Sequence, residues 1–211
     1  VYIATGFSKG ENMFNDRVID LVADNNITTL NLKALGENNI QLGKVEQRIK
    51  VAHQIIAQLK YLPIDERKSL INDIYRDNAG VESQAKMMTM AQIKQLSTLG
   101  IEIGAHTVDH PILKVLTAEQ QKAQIMQCKN DLQQLLGQPI KGFAYPNGKI
   151  AVDYDEVTRD IVSEQGFDYA VSTNWGYSTQ DTDKFQLNRF TPWDTTPVKF
   201  HIRLIRNLLG A

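Results

Sequence analysis

With 211 residues, the chain can bury a substantial core, and its composition excludes both intrinsic disorder and a fibrous fold: 42% of residues are hydrophobic and 22% are charged. Lys and Arg total 23 against 24 Asp and Glu, so the net charge of -1 leaves no broad surface for nucleic acid or anionic lipid. Cys128 is the only cysteine, which excludes an internal disulfide and a CxxC metal site. No apolar run approaches the roughly 20 residues of a membrane-spanning helix.

Strand-like apolar runs alternate with helical patterns, which predicts an α/β fold with parallel strands and a site at their carboxyl ends. Residues 1–5 are predicted as a strand, residues 14–23 as a helix and residues 28–32 as a strand, together forming a β-α-β unit. Residues 44–80 contain two helical patterns separated by Pro63, and we expect them to form a helical insertion.

The second half of the chain continues the alternation of helices and strands. Strands are predicted at residues 101–105, 142–145 and 167–172, and a final helix follows Pro197. Three further helices are predicted from capping pairs at their starts: Thr89 with Gln92, Thr117 with Gln120, and Asp153 with Glu156.

Two histidines four residues apart, His106 and His110, follow the predicted strand at residues 101–105. If the turn after the strand is helical, both side chains share a face, and two neutral imidazoles there can share one divalent ion. The alternative is a pair of surface or capping histidines that happen to share a turn. Asp109 lies between them and is either a carboxylate that supports the ligands or a solvated loop residue.

The segments around these histidines resemble the polysaccharide deacetylases of the NodB-homology group, family 4 of the carbohydrate esterases. The resemblance is carried by residues 90–93, 99–111 and 143–148. The middle segment is similar to the family's His-Ser/Thr-x-x-His metal motif with its preceding strand and following proline. Weaker resemblance at residues 2–7 and 167–172 extends it over almost the whole chain.

The resemblance implies a distorted (β/α) barrel, incomplete because its first strand is missing, formed by residues 1–211 as one N-terminally truncated domain. The family's first strand carries a Thr-Phe-Asp-Asp-Gly motif, whose aspartates are the general base and the third metal ligand, and neither is present here. Because Val1 aligns after that strand, truncation is the expected explanation, and the fragment alone is expected to be impaired. Its unpaired barrel edges favour association between copies.

For function, the resemblance implies a hydrolase of carbon-nitrogen bonds other than peptide bonds. Such an enzyme removes N-acetyl groups from an amino-sugar polysaccharide of the poly-N-acetylglucosamine, chitin or peptidoglycan type. His106 and His110 would bind a divalent metal, with Zn expected and Co or Ni as alternatives, and a metal-activated water would attack the acetamide. The resemblance favours a periplasmic, cell-envelope or extracellular location, with any targeting segment upstream.

The turn at residues 145–148 is implied to supply the oxyanion site. Its donor is assigned to the backbone N–H of Asn147, because Pro146 has no donor; a plain Pro-Asn-Gly turn is the alternative. Substrate contacts are predicted for Tyr145, Pro146, Trp175 and Trp193. Aromatic faces can stack on sugar rings, and core packing or loop anchoring is the alternative for the two tryptophans.

Two departures from the family pattern limit the implied mechanism. Ala144 stands where many members have an arginine that orients the base. Leu187-Asn188-Arg189 stands where a Leu-x-His motif would supply the general acid, so Arg189 is assigned at most an electrostatic role, with a surface salt bridge as the alternative. These departures leave a second function open, a non-catalytic carbohydrate-binding domain on the same fold.

Overall fold

The computed structural model describes residues 1–190 and 193–209, which divide into two compact units. One unit comprises Val1–Thr5 and the chain from Met90 onward, and the other comprises Gly6–Thr89. The assignment of residues 1–211 to a single domain stays a prediction. In chain order, the elements are β1 (Tyr2–Ile3), α1 (Phe14–Ala23), β2 (Thr29–Leu32), β3 (Glu37–Gln41), α2 (Val45–Leu59), α3 (Ile64–Asp77), α4 (Met90–Thr98), β4 (Gly104–Ala105), α5 (Ala118–Leu136), β5 (Gly142–Ala144), α6 (Glu156–Glu164), β6 (Tyr169–Val171) and α7 (Pro197–Leu208).

The first unit is built on a four-stranded parallel sheet in the order β1-β4-β5-β6. Tyr2 pairs with Gly104, and Ala105 pairs with Phe143, so the strand register is fixed at the sheet centre. Helices α4, α5 and α6 connect successive strands, as parallel pairing requires. This arrangement confirms the predicted α/β fold with parallel strands. The open sheet is compatible with an incomplete barrel.

The core of this first unit is formed by apolar side chains from both faces of its sheet. The strand residues are almost all apolar rather than alternating, as is typical of parallel sheets that are buried on both faces. The fully buried residues include Ile103, Ala105, Ile125, Cys128, Leu132, Phe143, Val162 and Ala170. Burial of Cys128 raises the pKa of its thiol to about 11, as expected for a cysteine that packs as a small apolar residue.

The second unit contains α1, α2 and α3 together with an antiparallel hairpin of β2 and β3. The predicted β-α-β unit is therefore wrong: β1 and β2 belong to different sheets, and β2 pairs instead with β3, which the sequence pattern did not indicate. The two helices expected within residues 44–80 are present as α2 and α3. Their buried residues pack with α1 and the hairpin in one core: Val18, Leu21, Val22, Leu30, Leu32, Leu42, Val51, Ala52, Ile55, Leu59, Ile71, Ile74 and Tyr75.

In the first unit, the first residues of α5 and α6 are capped by nearby side chains. Thr117 caps α5 in a reciprocal capping box with Gln120, as predicted. The predicted cap at Asp153 is wrong, because Asp155 caps α6 and forms its box with Thr158. Asp153 is instead buried and accepts a hydrogen bond from the backbone N–H of Lys149 at 3.0 Å. Of the helices in the described residues, none has the length and apolar character of a membrane span.

Candidate active site

His106 and His110 meet at the carboxyl end of β4, in the middle of the parallel sheet. Their Nε2 atoms lie 3.1 Å apart, and their ring planes are inclined at 74°. The Nδ1 of His106 donates a hydrogen bond to the carbonyl oxygen of Ala144, at 2.6 Å, on the neighbouring strand β5. This bond places the His106 proton on Nδ1, so the His106 Nε2 carries the lone pair and accepts a hydrogen bond from the Nε2–H of His110 at 3.1 Å.

The segment that carries the two histidines is an irregular loop, so their proximity does not arise from the helical turn considered above. Thr107 and His110 both have left-handed backbone conformations, with φ of 66° and 50°, which non-glycine residues seldom adopt. The fully buried Thr107 hydroxyl donates to the carbonyl of His106 and accepts from the N–H of His110 at 3.1 Å. Backbone strain at a site is held in place by such contacts.

The pKa of His106 is lowered to about 4, mainly by burial; the hydrogen bond to Ala144 opposes this shift, and the positive charge of Arg189 adds to it. At neutral pH, His106 is therefore an uncharged imidazole. The uncharged form is the one that ligates metals, because a protonated ring has no free lone pair.

Gln124 on α5 fastens the histidine loop, and the sequence interpretation missed it. Its side-chain oxygen accepts from the N–H groups of Val108 and Asp109 at 3.1 and 2.9 Å, and its amide donates to the Asp109 carboxylate at 2.8 Å. Gln124 lies three residues after the buried Gln121 and four before the buried Cys128, so it occupies the inward side of α5. A polar residue at a position that faces inward on a predicted helix was the feature of the sequence that could have indicated this role.

The two histidines fit a shared divalent ion on two observations. Two nitrogens bonded to one tetrahedral Zn at about 2.0–2.1 Å are separated by roughly 3.3–3.4 Å, and the observed Nε2 separation of 3.1 Å is close to this value. Metal-binding histidines commonly donate their second N–H to a carbonyl, as His106 does to Ala144. Among residues 1–190 and 193–209, however, no group of three or more His, Cys, Asp or Glu side chains is arranged to hold a metal ion.

The turn after β5 offers a backbone donor near the same sheet edge. Asn147 is exposed and left-handed, with φ of 55°, and its N–H donates to no atom of the described residues. Gly148 also has positive φ, and an added Cβ there would lie 3.0 Å from the Thr173 nitrogen. Thr173 ties the turn to the end of β6, since its N–H donates to Gly148 and its hydroxyl to the carbonyl of Asn147.

Tyr145 and Pro146 are buried and offer little surface to a substrate, so the expected substrate contacts stay a prediction that their burial does not favour. The Tyr145 ring stacks on Tyr154 at a centroid distance of 3.7 Å, and its hydroxyl donates to the carbonyl of Phe185 at 2.8 Å. Burial raises the pKa of Tyr145 far above its ordinary value, so it carries no charge at neutral pH. The physical reason is strand alternation: Tyr145 follows Phe143 by two residues and faces the same core.

Arg189 is partly buried, and its positive charge acts on His106. Its backbone N–H donates to Asn174 at 3.3 Å, but within the described residues its guanidinium forms no ion pair. The role of Arg189 stays a prediction. Its charge, which acts on His106, is available to a carboxylate or a developing oxyanion.

The remaining predicted residues lie in exposed positions. Trp175 is 45% exposed and Trp193 is 78% exposed, so neither is a core residue. The other two histidines of the sequence, His53 on α2 and His201 on α7, are also exposed, and the Nδ1 of His201 donates to the carbonyl of Pro197 at 2.7 Å.

Sequence comparison identifies similar proteins. The sequence model of the family described as polysaccharide deacetylase matches residues 65–170, which is half of the chain. The chain is also 29% identical over 102 residues to YxkH of Bacillus subtilis (strain 168), which is named among the polysaccharide deacetylases. That match covers 48% of this chain and 35% of YxkH, so the chain spans about a third of the length of this curated relative.

Solved structures with similar folds include two deacetylases. The deacetylase PplD of Streptococcus pyogenes, solved with acetate, is 26% identical with a TM-score of 0.49, covering 57% of this chain and 50% of that one. BC0361, a polysaccharide deacetylase from Bacillus cereus, is 21% identical with a TM-score of 0.48, covering 55% and 35%. Because both TM-scores are below 0.5, the family assignment rests on the sequence match.

Proposed function

Because the chain belongs to the polysaccharide deacetylase family, we propose that it is part of a metal-dependent hydrolase that removes N-acetyl groups from an amino-sugar polysaccharide. The observation that carries the proposal is the 3.1 Å separation of the His106 and His110 Nε2 atoms at the carboxyl edge of a parallel sheet. In α/β folds, this edge is where ligands bind.

The residues of this chain would have separate roles in the reaction. His106 and His110 would hold a divalent ion such as Zn, with Co or Ni as alternatives; when bound, the ion activates water and polarises the acetamide carbonyl. The Asn147 N–H, which has no partner in the described residues, would donate to the oxygen that gains charge during attack. Arg189 would stabilise the same negative charge electrostatically.

Within the described residues, no third His, Cys, Asp or Glu side chain joins the two histidines in a group that could hold a metal ion. In the family resemblance, the general base and the third ligand both belong to an Asp-Asp segment that this sequence does not contain. Two imidazoles bind a metal less firmly than three ligands, so we expect weak metal binding and little activity from this chain alone.

The experiment is deacetylation of an N-acetylglucosamine oligomer with added Zn or Co. It compares this chain, a longer form that carries the family's Asp-Asp segment, and the His106→Ala and His110→Ala variants of both. We expect activity only in the longer form with both histidines intact. Equal activity of either histidine variant and its parent would contradict the proposal.

A non-catalytic carbohydrate-binding domain is the second candidate, and one observation favours it. Leu187-Asn188-Arg189 replaces the Leu-x-His pattern that would supply the acid for the leaving amine, and arginine does not release a proton near neutral pH. The same assay separates the two candidates. Inactivity of every form, together with retained binding of the oligomer, would favour the binding domain.

A further inference from the structure

A cavity of about 420 Å³ lies along the last helix of the first unit, and no step proposed above uses it. Its volume is in the range of small-ligand sites. The lining combines one aromatic ring, one aliphatic side chain and a group of charges: Trp175, Asp194, Lys199, Ile202, Arg203 and Arg206.

One side of this cavity, called the α7 cavity below, is formed by an ion pair between Arg203 and Asp194. Arg203 binds both carboxylate oxygens of Asp194, with one N–O distance of 3.0 Å, and these hydrogen bonds lower the pKa of Asp194. The Arg203 guanidinium also lies 5.9 Å from the centre of the Trp175 ring. The two contacts hold Arg203 across the indole and neutralise its charge.

Two cations of the α7 cavity form no salt bridge within the described residues, although the charge of one, Lys199, also contributes to lowering the pKa of Asp194. Lys199 and Arg206 are exposed, and neither forms an ion pair within residues 1–190 and 193–209. The charges of the lining therefore sum to plus two, in a chain whose net charge is -1. A local positive site in a nearly neutral protein favours an anionic group.

Trp175 adds a second requirement on the ligand. Its ring is 45% exposed and leans on Phe190 at a centroid distance of 5.7 Å, which fixes the indole in place. The C–H faces of a pyranose are apolar, so a sugar ring buries surface against such an indole while its substituents reach the surrounding charges. A small inorganic anion would pair with the cations but would make no apolar contact with the Trp175 ring.

We infer that the α7 cavity binds an acidic sugar residue, with the ring against Trp175 and a carboxylate between Lys199 and Arg206. The choice of a saccharide rests on the proposed function, but binding requires neither the histidine pair nor a metal ion. The polysaccharide bound by this chain would then contain uronic acid residues besides N-acetylated amino sugars.

Calorimetric titration of the chain with an oligogalacturonate, with an N-acetylglucosamine oligomer of equal length and with inorganic phosphate tests the inference. We expect the uronate to bind most tightly, and its affinity to fall as salt screens the exposed cations. Trp175→Ala should weaken uronate binding roughly tenfold, and Lys199→Gln roughly fivefold with a smaller salt dependence.

Matched controls separate the cavity from general surface effects. Tyr61→Ala removes another exposed aromatic ring, and Lys94→Gln removes another exposed lysine, and both should bind the uronate as the parent does. Circular dichroism and thermal unfolding check that Trp175→Ala remains folded. Unchanged uronate affinity in folded Trp175→Ala and in Lys199→Gln would overturn the inference, as would equal affinity for phosphate or for the neutral oligomer.

The proposed deacetylase function and the proposed uronate binding can fail independently, and the histidine variants distinguish the two cases. The His106→Ala and His110→Ala variants should lose any metal-dependent activity and still bind the uronate with parental affinity. Loss of uronate binding in both histidine variants would contradict an independent cavity, whereas inactive variants with retained uronate binding would support it.

Discussion

The loop at residues 106–110 and the turn at residues 145–148 leave neighbouring strands at the same edge of one sheet, but they contribute different chemistry. The loop presents two imidazoles, whose nitrogens lie 3.1 Å apart. The turn buries Tyr145 and Pro146 and presents the exposed backbone of Asn147. Two segments that both resemble motifs of one family can therefore contribute differently: the loop offers side chains, and the turn offers mainly a backbone conformation.

The largest expected effect on stability is at the buried residue of the turn. Tyr145→Ala removes a ring that stacks on Tyr154 and leaves a cavity in the core, so we expect the free energy of unfolding to fall by about 3–5 kcal/mol. Urea unfolding measures the change. Tyr177→Ala, at a 50% exposed tyrosine, is the control and should change stability by no more than about 0.5 kcal/mol. A similar loss in both variants would show that Tyr145 is not a core residue.

The residue that supports the histidine loop should affect metal affinity more than stability. Gln124→Ala removes the acceptor for the Val108 and Asp109 N–H groups, so the loop that carries His110 loosens. We expect metal affinity to fall by roughly 10–100-fold, the usual cost of losing a residue that orients a ligand. Gln127→Ala, one turn further along α5 and bonded to Asp131, should leave affinity unchanged. Parental affinity in Gln124→Ala would contradict this positioning role.

Removing only the hydroxyl of Tyr145 tests whether the turn needs it. Tyr145→Phe keeps the stack on Tyr154 and deletes the hydrogen bond to Phe185, so stability should fall by about 1 kcal/mol. Sugar binding should not change, because the hydroxyl points into the core. A weaker sugar affinity with unchanged stability would indicate that the Tyr145 hydroxyl contacts the substrate.

The smallest effect is expected at the exposed residue of the turn. Asn147→Gly keeps the backbone N–H and favours φ of 55°, so the stability of this chain should change by no more than about 0.5 kcal/mol, and the activity of the longer form should be unchanged. Asn147→Val strains the same backbone and should cost about 1–2 kcal/mol. Loss of activity in a stable Asn147→Gly variant would show that the side chain acts, against the backbone assignment.

The parts of the fold that sequence predicted are those set by local or strongly apolar signals. The Thr117–Gln120 box and the strands of the parallel sheet are examples. The hairpin strand β3 was missed because Glu37–Gln41 is polar and mostly exposed, so no apolar alternation marks it. Asp153 and Asp155 both suit a cap by type, and only the backbone conformation decides between them.

The candidate site was predictable in its residues but less so in its geometry. The histidine spacing indicated proximity, although an irregular loop with left-handed Thr107 and His110 produces it rather than a helix. The support from Gln124 depends on contacts with residues that lie 15 and 16 positions away in the sequence, which spacing alone does not show. The envelope location and the association of copies through strand edges stay predictions.

The most direct test of the histidine site is a titration of the chain with Co(II), followed by its visible absorption. The chain has four histidines, so His53→Ala and His201→Ala are matched controls for His106→Ala and His110→Ala. We predict that both control variants bind Co(II) as the parent does, and that the other two bind at least roughly 100-fold more weakly. Parental Co(II) binding by His106→Ala or His110→Ala would contradict the account.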